Sequence, residues 1–209
     1  MNIDPEHEQA RDEMARLAAR AMVRDATLAP REALERVRKG RARLIDGPPP
    51  GTGLICRHLR AMLEESLGAE GYKAGCLRRV QAIVEVLDLV AWLTGADEVE
   101  VAGRAAGRFL EGPLVVSVRV HGGGALHPIA SELERNEIRE VGCATAHTRF
   151  GPMPSLHFEC DGIRFTLIEC PPVAGIERRR NLFTGEPVAV ASLPDLRARL
   201  DDVFSPDRP

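Results

Sequence analysis

The hydrophobic period of this chain changes near residue 95, and that change bounds the architectures open to it. Before that point apolar residues recur at intervals of three and four. Met14, Leu17, Ala18 and Met22 lie along one side of 5–24, and Val80, Ile83, Val84, Leu87, Val90 and Ala91 repeat within 77–93. This spacing predicts amphipathic helices, each with one stripe to bury. Beyond it, Val99, Val101, Leu114, Val115, Val116, Val118 and Val120 form a β-branched, strand-type pattern. The expected fold class is α+β: a helical region over 1–94, then a mixed β-sheet with flanking helices over 95–209.

Local signals refine this. Pro30 suits the first turn of a second helix over 30–39, with Leu34 and Val37 facing inward. The run Pro48-Pro49-Pro50-Gly51-Thr52-Gly53 forbids a continuous helix. A third helix resumes from Leu54 through Leu63, and a break is expected over 68–75 (GAEGYKAG) before the long apolar helix 77–93. Further on, Gly122 to Gly124 reads as a flexible turn and 129–138 as a short helix. Residues 155–161 and 163–169 read as a hairpin around Asp161-Gly162. Residues 178–185 read as a loop, and 194–203 as a last helix capped by Ser192.

With 28 Lys and Arg against 31 Asp and Glu, the net charge of −3 argues against binding nucleic acid over the whole surface, but leaves room for a local basic site. The five cysteines are scattered without a C-x-x-C pair, as reduced thiols are, and show no zinc spacing. No apolar run reaches membrane length and the first residues do not read as a signal peptide, so a cytoplasmic protein without a membrane partner is expected. His121, His127, His147 and His157 are irregularly spaced and read as structural. His121-Gly122-Gly123-Gly124 lacks the Lys-Ser/Thr of a phosphate-binding loop.

One motif carries chemistry. Gly51-Thr52-Gly53-Leu54-Ile55-Cys56-Arg57-His58-Leu59 fits a helix-hairpin-helix pattern. Glycines allow a tight turn and leave backbone N–H groups open at a helix N-terminus. There the helix dipole also favours a phosphate oxygen. Arg38, Lys39, Arg41 and Arg43 lie just upstream, and Arg57 and Arg60 just downstream. The candidate DNA-binding residues are Gly51, Thr52, Gly53, Arg57, Arg41 and Arg43, contacting the backbone without reading bases. The alternative is a Gly/Pro loop between two helices whose arginines only solvate its face.

Residues 99–108 read Val-Glu-Val-Ala-Gly-Arg-Ala-Ala-Gly-Arg, followed at 112–116 by Gly-Pro-Leu-Val-Val. Residues 163–172 read Ile-Arg-Phe-Thr-Leu-Ile-Glu-Cys-Pro-Pro, and 182–185 Leu-Phe-Thr-Gly. With Glu32-Ala33-Leu34, Gly40 to Leu44 and the Gly51 hairpin ahead of them, these motifs resemble, in order and spacing, the family X DNA polymerases, the β-type repair enzymes. The resemblance covers about residues 30–190. It implies a fingers-like helical domain and a nucleotidyltransferase-like palm. It also implies a nucleotide pocket around Gly103, Arg104, Phe183, Thr184 and Gly185.

The departures decide what the resemblance implies about activity. The family's three metal-binding aspartates map to Leu114, Val116 and Thr166. Its phosphate-binding serine maps to Arg104 and its second loop arginine to Gly107. Two-metal phosphoryl transfer needs carboxylates to hold the cations. About two dozen residues follow Gly185, so no thumb subdomain is expected. No catalytic residues and no metal are expected, and no cofactor beyond a monovalent cation at the hairpin. The expectation is a catalytically inactive, polymerase-like DNA-repair protein that binds DNA through its hairpin. The alternative is an interaction or regulatory scaffold with a protein partner and no DNA, and an active nucleotidyltransferase is the least favoured reading.

Overall fold

The computed structural model describes residues 5–40, 49–107, 110–138, 140–172 and 177–204. The chain divides into two compact units. One is Met1–Cys76 with Glu111–Pro113, and the other is Leu77–Leu110 with Leu114–Pro209.

The first unit is helical. Helix α1 (Pro5–Arg24) and helix α2 (Pro30–Gly40) contact each other, and both bury their apolar side with the start of helix α3 (Thr52–Thr94). Met14, Ala15, Ala18, Ala19 and Met22 of α1 form one cluster with Ala33, Leu34, Ile55 and Leu59. Burial of each large side chain there contributes on the order of 1.5–3 kcal/mol. The small alanines let the helices approach closely.

The break expected over 68–75 shrinks to one residue. Gly68 takes a non-helical conformation (φ 72°, ψ 157°), and the helix resumes at once. Ala69, Glu70, Tyr72, Lys73 and Ala74 propagate a helix well enough to absorb Gly71 and Gly75, each of which costs only about 1 kcal/mol. The same unit holds Glu111 against α3. Its buried Oε1 accepts from Tyr72 Oη and, at 3.1 Å, from Arg60 Nε.

The second unit is built on a six-stranded mixed sheet in the order β3-β4-β5-β2-β1-β6. Its strands are β1 (Glu98–Ala102), β2 (Leu114–His121), β3 (Gly142–Thr148), β4 (Gly151–Cys160), β5 (Ile163–Cys170) and β6 (Val190–Ser192). β2 and β5 run parallel, with Leu114 beside Ile163 and Ser117 beside Thr166; every other pairing is antiparallel.

Side chains alternate across a sheet, and here the alternation separates two faces. One face carries Leu114, Val116, Val118, Val120, Val99, Val101, Phe165, Leu167, Leu156 and Phe158, all buried. Phe158 and Phe165 stack across the ladder with centroids 5.1 Å apart. Helices lie on this side: Cys160, on the same face, feels the charge of Glu85 on α3. Helix α5 (Leu193–Phe204) contacts β1 and β6, and its Arg197 pairs with Asp88 of α3 at 2.5 Å. Helix α4 (His127–Arg135) buries Ile129, Ala130 and Leu133.

The Asp161-Gly162 hairpin forms as expected. Both residues have positive φ (52° and 69°), as a two-residue turn between strands demands. Ser192 caps α5: its Oγ accepts from Asp195 N at 3.3 Å, while Asp195 accepts from Ser192 N at 2.9 Å. The Gly122–Gly124 turn, expected to be flexible, is instead tightly packed. A Cβ on Gly122 would overlap the Asp97 carboxylate, and one on Gly123 would sit 3.0 Å from Ala96 Cβ. Gly124 N donates to Thr94 O at 2.8 Å, pinning the turn.

Candidate functional site

The motif Gly51 to Leu59 falls within the described residues, whereas Arg41 and Arg43 lie outside them. Gly51 sits just before α3, and its carbonyl accepts from Leu54 N at 3.0 Å and Ile55 N at 3.4 Å. The carbonyl thereby starts the helical ladder. The amides of Thr52 and Gly53 belong to the first turn, where no intrahelical acceptor exists. Gly51 and Gly53 are exposed, and a Cβ on either would meet nothing within 4 Å. A side chain added at either position would therefore meet no neighbour. Arg57, one turn further, is exposed, as are Arg38 and Lys39 in the last turn of α2. Arg60 is committed elsewhere, to Tyr72 and Glu111.

On the sheet, the three positions assigned to the family's metal-binding aspartates do not converge. Leu114 and Val116 point to the helix-covered face and are 1% and 0% exposed. Thr166 pairs with Ser117, whose side chain is on the opposite, open face. The residues of β2 that flank Thr166 on the open face are Val115, 46% exposed, and Ser117. Leu114 and Val116 thus do not share a face with Thr166, so side chains at the three positions could not aim at one cation. Val115 and Ser117, which flank Thr166 on its own face, carry no carboxylate either. Glu111, the sole acid of the intervening loop, is spent on Tyr72 and Arg60. Among the described residues no group of three His, Cys, Asp or Glu is placed to hold a metal ion.

The open face carries polar chemistry of two kinds. At its exposed end His157 Nδ1 lies 3.1 Å from Thr166 Oγ1, and its Nε2 lies 3.3 Å from Ser155 Oγ. This Ser-His-Thr line sits on a flat ladder whose amides are committed to strand pairing. It therefore lacks the converging N–H donors that acyl transfer requires.

At the other end lies a buried charge network that the sequence did not reveal. Glu100, Arg119 and His121 are 1%, 1% and 0% exposed. Glu100 Oε1 accepts from Arg119 Nη1 at 3.4 Å and His121 Nε2 at 3.3 Å, while its Oε2 accepts from Arg178 Nε at 3.2 Å. Arg178 also pairs with Glu98. His121 Nδ1 donates to Pro171 O at 3.1 Å. Burial pushes the His121 pKa down, but the Glu100 hydrogen bond, the Pro171 carbonyl and the Glu100 charge outweigh it, and the net direction is up.

This network ties down the arginine-rich loop. Arg119 Nη1 and Nη2 donate to the carbonyls of Arg178 and Arg180 at 2.7 and 2.6 Å. Leu182 then packs on Met153, Ile168 and Cys170 of the open face. The Asn181 side chain accepts from the amides of Phe183 and Thr184, and Gly185 (φ 73°) closes the turn on Asn181 O at 2.9 Å. Phe183 is left 50% exposed and Thr184 is exposed, whereas Gly185 is buried under Arg149. Gly103 N donates to Ala189 O at 2.8 Å, which brings the end of β1 to the strand that follows this loop.

A separate groove of about 510 Å³ opens at the ends of β2 and β5, lined by Pro152, Met153, Pro171, Pro172, Phe150 and Gly122 among others. Among the described residues no helix is long and apolar enough to cross a membrane. No family model, no curated protein and no solved structure matches this chain.

Proposed function

We propose that this chain binds DNA through its backbone, without reading sequence, at the start of α3, and that it does not transfer nucleotides. The observation that carries the reading is the start of α3. Thr52 and Gly53 supply first-turn amides, Gly51 and Gly53 are exposed, and Arg57 is exposed one turn away. Such an end combines N–H donors, a favourable dipole and a nearby cation for one phosphate group. The open face of the sheet supports the second clause. Val115, Ser117 and Thr166 offer no carboxylate where a family X palm would carry its cations. In this reading the protein is a degenerate relative of the family X polymerases, and its sheet serves as a structural or protein-docking module.

Fluorescence anisotropy of gapped and intact duplex DNA, titrated over a salt series without Mg²⁺, tests this. Micromolar binding that weakens steeply with salt and is lost in Gly51→Val/Gly53→Val supports it. Both glycines face open space, so the variants should keep their fold and probe contact alone. Absence of binding at low salt sinks the proposal. A second reading, a scaffold that docks proteins and not DNA, draws on the half-exposed Phe150 and Phe183.

A further inference from the structure

Strand β3 closes one edge of the sheet, and its chemistry is unusual for an edge. The opposite edge, β6, is only three residues long. β3 is seven residues long, in unbroken register with β4, and reads Gly-Cys-Ala-Thr-Ala-His-Thr, with no Lys, Arg, Asp, Glu or Pro. Proteins normally protect a regular edge with charge, proline, a bulge or shortness. None of these protects β3.

The prolines of β4 say which backbone groups the edge presents. Pro152 pairs with His147 and Pro154 with Thr145. Neither proline has an N–H, so those cannot be the pairs that exchange both ladder bonds. The bonded pairs are the alternate ones, through Ala144, Ala146 and Thr148. The N–H and C=O groups of Cys143, Thr145 and His147 therefore point away from β4, along the open edge. Cys143, Ala144, Thr145 and His147 are all exposed.

We infer that a second copy of this chain pairs with this edge, β3 against β3 in antiparallel fashion about Thr145. The inference is independent of the DNA-binding reading. A two-fold axis perpendicular to the sheet keeps each face on its own side. Its cross-strand neighbours are then Thr145 with Thr145, Ala144 with Ala146 and Cys143 with His147. No charge is buried and no side chain larger than histidine meets its mate. The three outward residues of each strand meet their counterparts and exchange both backbone bonds. A partner strand from another protein would need the same register, but only a copy of β3 is guaranteed to bring neutral, small residues to every position. The contact is small, so the dimer is weak and concentration-dependent.

Sedimentation velocity of the full chain in reductant, over a wide concentration range, tests this; the reductant excludes a Cys143 disulfide as the cause. The weight-average mass should climb towards twice the monomer value. Thr145→Pro removes an outward N–H, which an edge strand tolerates, and Thr145→Lys adds charge without touching the backbone. Each should return the protein to monomer with unchanged circular dichroism. A wild type that stays monomeric at the highest concentration overturns the inference. So does a dimer that survives in whichever of the two variants is folded.

Discussion

Arg119 and Glu100 face each other across the β1–β2 ladder, each 1% exposed, and the arginine spends its other bonds on the main chain of a loop about sixty residues away in sequence. A buried cation with three acceptors cannot be truncated cheaply. Arg119→Met should destabilise the fold by about 3–5 kcal/mol, because Glu100 loses a partner and two loop carbonyls lose their donor. Urea unfolding measures this. A loss below about 1 kcal/mol would mean that Arg178 and His121 alone satisfy Glu100.

His121 sets a pH dependence. Its folded pKa is raised, so its contribution to stability is complete below the ordinary imidazole value and is lost as pH rises through the folded value. A neutral ring has one N–H and can donate to Pro171 or Glu100, not both. Thermal stability should therefore fall from mildly acidic to mildly alkaline pH, and the fall should flatten in His121→Gln. A wild-type profile parallel to that of the variant would show that the ring does not titrate in the folded protein.

Gly185 holds a backbone conformation that favours glycine. Its φ of 73° disfavours any side chain, and a Cβ there would overlap the Arg149 guanidinium. Gly185→Ala should cost roughly 1–3 kcal/mol. Arg149→Ala in the same chain should return only the part due to overlap, since the backbone strain remains. Full recovery in the double variant would show that φ carries no cost.

Arg57 is the exposed cation nearest the open end of α3 within that helix. If it contacts one phosphate, Arg57→Ala should weaken DNA binding about equally for all sequences and lower the salt slope by about one. A variant whose salt slope equals that of the wild type would place Arg57 outside the contact.

Sequence and structure agree where one local rule was decisive. Asp161-Gly162 demanded a two-residue turn, and Ser192 with Asp195 announced a helix start. They part where two rules competed. Residues 114–118, Leu-Val-Val-Ser-Val, are apolar at adjacent positions, so period two cannot say which set faces the core. Leu114 and Val116 prove to face away from Thr166, a division that the sequence left open. Glu100, Arg119 and His121 alternate with valines and read as the wet side of half-exposed strands. They are buried because the arginine-rich loop lies over them and supplies carbonyls as partners. β3 escaped notice because Gly-Cys-Ala-Thr-Ala-His-Thr has almost no hydrophobic contrast, as befits a strand exposed on both faces. Of the hairpin, the glycine half was legible as a helix start, and its two upstream arginines lie outside the described residues.

Arg119 grips its loop by the carbonyl oxygens of Arg178 and Arg180, groups that every amino acid possesses. Part of the path of that loop is thus recorded in the strand beneath it, and part in Asn181 and Gly185 of the loop itself. Phe183 and Thr184 stand on that frame, which the Arg180 side chain also braces by donating from Nη1 to Gly185 O at 3.1 Å. The surface those residues present can be rewritten by mutation while its scaffold stays fixed.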